Sequence, residues 1–156
     1  MRVHICAVGR LRTGPERALI EDYITRFDRT GRALGLGPLA LHEVEDKKGG
    51  GMEAEAALLE RAIPKSAVIV ALDERGKLMS SPEFSDRLAG WRDAGRGDVG
   101  FVIGGADGIA PSLRAQADFS LSFGKMVWPH MLARVMLSEQ LYRAASILAG
   151  SPYHRV

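Results

Sequence analysis

The sequence has 156 residues, a length that favours one domain (1–156) with its own core and requires neither disulfides nor a metal for folding. Hydrophobic residues make up 46% and charged residues 26%, which excludes an intrinsically disordered chain. The 21 Lys and Arg residues nearly balance the 19 Asp and Glu residues, and the net charge of +2 argues against general polyanion binding. A local basic patch remains compatible with this balance.

Cysteine usage and the N-terminus predict a reduced, cytoplasmic protein. The single cysteine, Cys6, lies in an apolar segment and is expected to be a buried apolar residue, which excludes an internal disulfide or a cysteine-based zinc site. Met1-Arg2 leads directly into strand-like sequence without a secretory leader. The apolar runs are far shorter than the about 20 residues of a membrane-spanning helix, and the four histidines lack metal-ligand spacing. We expect neither a membrane segment nor a metal.

The first half of the chain alternates between strand and helix patterns. Residues 2–8 predict a buried strand, and 15–30 predict a helix with Thr13 as its N-cap. A glycine-rich turn at 31–38 leads into a half-buried strand at 39–45. Residues 47–51 hold two lysines and three glycines and predict a mobile loop before a helix at 52–62.

The second half continues the alternation. Residues 66–72 form an apolar, β-branched run typical of a central parallel strand, and 73–77 predict a turn. Ser80 to Glu83 indicate a strong start for a helix that ends near residue 94. Further segments predict strands at 98–103 and 118–123, and helices at 111–116 and 130–148. The order predicts an α/β domain with a mostly parallel sheet flanked by helices.

Three strand exits are candidates for a ligand site, because ligands of open α/β sheets bind beyond the carboxyl ends of the strands. The most glycine-rich exit is 103–108, for which a tight strand-to-helix turn is the alternative. It lacks the G-x-G-x-x-G spacing of a dinucleotide-binding loop. Gly124-Lys125 is not a Walker loop, since Phe119 and Met126 replace its required glycine and hydroxyl. The three exits are 71–74, 103–108 and 123–130.

Two other segments carry candidate functional groups. His130 begins a helix beside a strand exit, whereas His4 and His42 lie within strands and are expected to be packing or surface residues. The C-terminal Tyr153-His154-Arg155 places an aromatic ring, an imidazole and a guanidinium in succession, and such groups stack on bases and bind phosphates. A frayed terminus is the alternative for this tail.

A set of motifs in a fixed order extends over the whole chain. They are Leu72-Asp73, Phe101-Val102-Ile103-Gly104-Gly105-Ala106-Asp107-Gly108, Trp128-Pro129-His130, Ser138-Glu139-Gln140-Leu141-Tyr142-Arg143-Ala144 and Pro152-Tyr153-His154-Arg155. On these motifs the chain resembles the SPOUT-class RNA methyltransferases, and among them the small enzymes that methylate N3 of a pseudouridine in large-subunit (23S) ribosomal RNA. The resemblance implies a single-domain α/β knot, in which the C-terminal segment forms a trefoil. It also implies bound S-adenosyl-L-methionine and a homodimer that completes each site across its interface.

The resemblance also assigns residues to the site. It implies cofactor contacts, mostly from the backbone, at Leu72, Gly104, Phe123, Gly124, Lys125, Met126, Val127 and Trp128. Methylation of an imide N3 requires loss of its proton, by a base or through donors that stabilise the anion. The catalytic candidates for these roles are His130, Arg143, Tyr153, His154 and Arg155, and the sequence leaves open which group takes the proton.

The expected partner is 23S ribosomal RNA, in the assembled ribosome. Arg10, Arg12, Lys47 and Lys48 are the predicted phosphate contacts. Because the net charge is small, recognition is expected to depend on shape. Two alternatives stay open: a non-catalytic RNA- or ribosome-binding module on the same fold, and a methyltransferase with another RNA target.

Overall fold

The computed structural model describes residues 1–155, in which five strands alternate with five α-helices. The strands form one parallel sheet in the order β2-β1-β4-β3-β5. This confirms the predicted α/β class with a parallel sheet flanked by helices. The elements are β1 (Arg2–Val8), α1 (Pro15–Gly31), β2 (Leu39–Val44), α2 (Gly51–Ala62), β3 (Val68–Leu78), α3 (Ser81–Asp93), β4 (Asp98–Ile103), α4 (Pro111–Gln116), β5 (Phe119–Ser122) and α5 (His130–Leu148).

The core has two parts, one on each face of the sheet. Alternate residues of β1 belong to different parts: Ile5 packs with Phe101 and Leu137 on the face of α1, α3 and α5, and Cys6 packs with Leu59 on the face of α2 and α4. Each fully buried large apolar side chain contributes about 1.5–3 kcal/mol. Burial also raises the pKa of the Cys6 thiol to about 12, so its predicted role as a buried apolar residue is confirmed.

Strand β3 is longer than predicted. Its register with β5 shifts at a bulge between Leu72 and Lys77, after which Lys77 and Leu78 pair with β5 again. Gly76 is required inside the bulge, because a Cβ there would lie 2.7 Å from the carbonyl oxygen of Ser120. The turn predicted at 73–77 is therefore wrong, since polar residues that indicate a turn also occur in a bulge.

The predicted N-terminal cap of α3 is correct, whereas that of α1 is wrong. The start of α3 is confirmed, because Ser80 Oγ accepts from the Glu83 amide at 3.2 Å and Glu83 Oε2 accepts from the Ser80 amide at 3.1 Å. The predicted N-cap Thr13 of α1 is wrong. Gly14 holds that position with φ 112° and ψ 176°, and no side chain caps the helix.

Helix α5 follows β5 in the chain, but it contacts β1, which is three strands away from β5 in the sheet. Segment 123–129 leaves β5 at one edge, and α5 then reaches β1, where Arg134 Nη2 donates to the Val8 carbonyl oxygen at 3.0 Å. Arg134 is fully buried, and its Nη1 donates to Glu43 Oε2 at 2.8 Å. Glu43 also accepts from Arg17 at 3.1 Å and from the Leu11 amide at 2.7 Å. The C-terminal segment thus follows the course expected for the predicted α/β knot.

His4 and His42 form a hydrogen-bonded chain with Asp98. The carboxylate Oδ1 accepts from His4 Nε2 at 2.8 Å, and His4 Nδ1 lies 3.0 Å from His42 Nε2, within hydrogen-bond distance. Arg2 Nε lies 3.0 Å from the same carboxylate oxygen. The hydrogen bond from His4 and the neighbouring Arg2 lower the pKa of Asp98. The interpretation of His4 and His42 as ordinary packing or surface residues missed this connection, which joins β1, β2 and β4.

Residues 1–155 contain neither a helix suited to cross a membrane nor a cluster of metal-binding side chains. None of the helices there combines the length and apolar character that a bilayer crossing demands. No three histidine, cysteine or acidic side chains in that part of the chain are arranged to hold a metal ion.

Replacement of Arg134 by methionine is expected to lower the free energy of unfolding by about 3 kcal/mol, because one partner of a buried ion pair is lost. Arg17 and Leu11 still bind Glu43 and limit the loss. Urea unfolding at one fixed protein concentration measures it. The control is Arg26→Met, which breaks an exposed pair with Asp22 and should cost at most about 1 kcal/mol. Equal losses in the two variants would contradict the role given to Arg134.

The stability of the protein is expected to fall as the pH drops from about 7 to about 5. Burial and the nearby His4 lower the pKa of His42 below its ordinary 6.5, so the unfolded chain binds a proton at this residue before the folded chain does. Urea unfolding of His42→Gln, whose amide group can donate to or accept from His4, should show a weaker dependence on pH in this window. Identical pH profiles for the two proteins would refute the assignment.

Candidate active site

A cavity of about 300 Å³ lies at the carboxyl ends of β4 and β5 and beside the bulge of β3. The three strand exits singled out in the sequence meet there, together with the first turn of α5. This is the position at which parallel α/β sheets bind ligands. Its walls consist of Leu72–Arg75, residues 103–109, Leu121, Phe123, Gly124, 126–128, His130 and Ala133.

The exit of β4 is a tight glycine turn on the cavity wall. The Gly108 amide donates to the Gly105 carbonyl oxygen at 3.0 Å, and Gly108 has a φ of +84°. A Cβ on Gly104 would overlap the backbone of Gly108. The two interpretations of this segment are compatible, since the same glycines that close the turn also bring its backbone to the cavity.

Asp73 stabilises the bulge of β3, a role that the sequence analysis did not predict. Its carboxylate accepts from Arg75 Nε and Nη2, both at 3.0 Å, and from Arg114 Nη1 at 3.4 Å. The Asp73 side chain is only 6% exposed, and the hydrogen bonds from Arg75 lower its pKa. The bulge of β3 is thus held open by a paired, ionised carboxylate.

The exit of β5 is tied to the exit of β3 through Ser122. Its Oγ accepts from the Gly124 amide at 3.0 Å and lies 3.1 Å from the carbonyl oxygens of Glu74 and Gly124. Beyond it, Met126 and Val127 are 74% and 80% exposed. The predicted cofactor residues on the cavity wall are Leu72, Gly104, Phe123, Gly124, Met126, Val127 and Trp128; Lys125 is not on the wall defined by residues 1–155.

His130 is the one predicted catalytic residue on the cavity wall formed by the described residues. Its ring lies beside Gly9, where a Cβ would be 3.8 Å from His130 Cε1. Nδ1 of His130 is buried and has no hydrogen-bond partner within residues 1–155. Nearby, burial and the charge of Asp107 raise the pKa of Glu55. The buried Nδ1 is thus, in the part of the chain that the structure describes, an unsatisfied polar atom at the start of α5.

The tail residues assemble around Glu139, which the sequence did not single out. Glu139 Oε1 accepts from Arg143 Nε at 2.9 Å, from Arg143 Nη2 at 2.6 Å and from the Tyr153 hydroxyl at 3.0 Å. Arg143 Nη1 lies 3.2 Å from His154 Nδ1. Arg155 is exposed. Glu139 belongs to the motif 138–144 but has no role in the sequence-based prediction. The signal that predicts its contact is the opposite charge of Arg143, four residues later on the same helix.

Within one chain the predicted catalytic residues form two separate groups. His130 and Arg143 lie on the same helix, and a rise of about 1.5 Å per residue separates them by about 20 Å. Between them runs an apolar groove of about 490 Å³ that includes Leu19, Tyr23 and Leu78 and shares Gly124 with the cavity. The tail of one chain and the cavity of that chain are therefore at opposite ends of this groove.

Comparisons with known proteins agree with this architecture. A family model described as "Predicted SPOUT methyltransferase" matches residues 1–154. A protein of Ruegeria pomeroyi named ribosomal RNA large subunit methyltransferase H is 76% identical over 156 residues, and a Cereibacter sphaeroides protein of the same name is 68% identical, with each alignment covering 100% of both chains. A solved structure of a probable methylase family protein from Haemophilus influenzae matches with a TM-score of 0.55 at 14% identity, covering 99% of this chain and 70% of that one.

At 14% identity, the Haemophilus influenzae structure shows a similarity of fold alone. The family model matches nearly the whole chain, and the relatives match over their full length. The chain belongs to the SPOUT methyltransferase family.

Proposed function

We propose that this protein, with residues 1–156 acting as one domain, transfers a methyl group from S-adenosyl-L-methionine to N3 of a pseudouridine in 23S ribosomal RNA. The observation that carries the proposal is the cavity where three strand exits meet, in a chain with full-length relatives named ribosomal RNA large subunit methyltransferase H. We also propose a cytoplasmic location, because the substrate is the ribosome.

The cavity fits the cofactor in size and chemistry. Apolar side chains such as Leu72 and Ile103 alternate with the backbone of the Gly104–Gly108 turn, a combination that suits an adenine ring and its polar edge. The carboxylates of Glu74 and Asp107 line the same cavity and favour a cationic ligand. When bound, S-adenosyl-L-methionine supplies an activated methyl group on a positively charged sulfur.

The protein's own residues position the acceptor base and manage its N3 proton. Tyr153 is unsuited to be the base, because burial and its hydrogen bond to Glu139 raise its pKa and keep the hydroxyl protonated. Arg143 and Arg155 are permanent cations that stabilise an anionic ring or bind phosphate. We propose His130 as the proton acceptor, since it is the catalytic candidate on the cavity wall formed by the described residues.

A homodimer would unite the cavity and the tail. The two groups of catalytic residues are about 20 Å apart along α5, a distance that the tail of the same chain does not bridge while it is bound to Glu139. Exposed apolar side chains surround the cavity mouth and begin α5: Met126, Val127, Trp128, Met131 and Leu132. Such a patch is typical of a subunit interface. In a two-fold dimer, the tail of one subunit can approach the cavity of the other.

The basic residues predicted to bind phosphate lie on the same side of the sheet as the cavity. Arg12, Lys47 and Lys48 are exposed beyond the carboxyl ends of β1 and β2. Arg10 is also exposed, but Glu45 lies 3.4 Å away and offsets its charge. We propose that these residues bind ribosomal RNA next to the cavity mouth, where their local charge compensates for the small net charge.

The purified protein is expected to transfer tritiated methyl groups to ribosomes from cells that lack this enzyme, and mass spectrometry should identify N3-methylpseudouridine. Ala133→Trp fills the cavity from α5 and should abolish both cofactor binding and transfer. Arg155→Ala is expected to reduce transfer by about 10- to 100-fold, the effect of one charged hydrogen bond, with cofactor affinity unchanged. Cofactor binding by the wild-type protein without any transfer would instead favour the non-catalytic RNA-binding module.

Mixed dimers test whether the site is shared between subunits. Ala133→Trp and the double variant His154→Ala/Arg155→Ala should each be inactive alone. Co-refolded in equal amounts, half of the dimers contain both chains, and each of these has one intact site, so about a quarter of wild-type activity is expected. No recovery would mean that the cavity and the tail act within one chain.

A further inference from the structure

The carboxylate of Glu139 binds three side chains of α5 and the tail. In addition to the contacts of Arg143 and Tyr153 at Oε1, Gln140 Nε2 donates to Oε2 at 2.9 Å. Contact through both Nε and Nη2 of Arg143 makes this a strong, orientation-specific ion pair. The side chains of Arg143 and Glu139 are only 24% and 18% exposed, so water screens the pair weakly.

Arg143 in turn determines the protonation pattern of His154. A guanidinium has donors only, so His154 Nδ1, 3.2 Å from Arg143 Nη1, must be the acceptor. The imidazole is then neutral and carries its proton on Nε2. In this state His154 presents an N–H donor on the side away from Arg143.

The ring of Tyr153 is held between two neighbours. Its centroid lies 4.6 Å from that of Tyr142, and the guanidinium carbon of Arg143 lies 4.8 Å from it. The ring contacts of Tyr153 and its hydrogen bond to Glu139 oppose fraying of the terminus. The tail is thus an ordered element whose contacts converge on one carboxylate.

We propose that Glu139 is the positioning residue of the methyl-acceptor half of the site: it orients Arg143 and, through Arg143, holds His154 as a neutral Nε2–H donor for a carbonyl oxygen of the acceptor base. The inference rests on the proposed methyl transfer. Loss of the N3 proton places negative charge on the neighbouring carbonyl oxygens, and a preoriented N–H donor stabilises that charge. Glu139 itself touches neither the base nor the cofactor in this role.

Glu139→Gln removes the charge while preserving the size of the side chain, and Glu60→Gln is the matched control. Glu60 is an exposed glutamate on α2 that accepts from Gln116 at 2.9 Å. The full-length proteins are labelled with ¹⁵N-histidine, and long-range ¹H–¹⁵N spectra report which ring nitrogen carries the proton. The signal of His154 is assigned by its loss in His154→Gln.

In the wild-type protein and in Glu60→Gln, His154 is expected to show a single neutral tautomer with the proton on Nε2. In Glu139→Gln the two tautomers should interconvert, and the methyl-transfer kcat should fall by about 10- to 100-fold, as for loss of a charged hydrogen bond. The KM for S-adenosyl-L-methionine should change less than twofold. Glu139→Asp, which restores the charge, should recover part of the kcat.

Three results would overturn the proposal: a proton on Nδ1 of His154 in the wild-type protein, an unchanged tautomer in Glu139→Gln, or an unchanged kcat in that variant. A purely structural role would lower the thermal midpoint without altering the His154 tautomer and is thereby distinguished. The spectra need neither RNA nor cofactor. If the wild-type protein transferred no methyl group, the proposed function would fail, and the tautomer would still decide the arrangement of the tail.

Discussion

The buried guanidinium of Arg134 is the contact on which the arrangement of the site depends. It binds the carbonyl oxygen at the end of β1 and a carboxylate on β2, although α5 follows β5 at the other edge of the sheet. To reach that partner, segment 123–129 must cross the ends of β3 and β4, and this crossing closes the cavity. Since an unpaired buried charge is very costly, alternative paths for α5 are strongly disfavoured.

Most of the fold could be predicted because its signals are local. The apolar run of β4 and the capping box of α3 depend only on neighbouring residues, and their bounds were correct within one or two residues. The pairing of His4 with Asp98 and of Arg134 with Glu43 joins residues more than 90 positions apart. A charged residue on a helix indicates a solvated face when read alone, and only the packed structure reveals its partner.

The candidate site also combines features that local sequence signals predict with features that depend on residues far apart in the chain. Its three strand exits could be predicted because parallel strands bring their carboxyl ends to one edge. The bulge at Asp73 was missed because pairing resumes beyond it with residues of β5, as between Lys77 and Leu121, that are distant in the sequence. The separation of His130 from Arg143, in contrast, was already present in the predicted helix of 130–148. Applying the rise of a helix to those bounds indicates that the catalytic candidates belong to two places.

The only cysteine of the chain gives the protein a practical advantage. Cys6 is inaccessible on β1 and its thiol stays protonated at any pH used for labelling, so thiol-directed dyes and spin labels will not react with it in the folded state. A cysteine introduced at the exposed position 155 would then be the single reactive thiol of the chain. Fluorescence or electron spin resonance can then follow the tail during titrations, without first removing a native thiol.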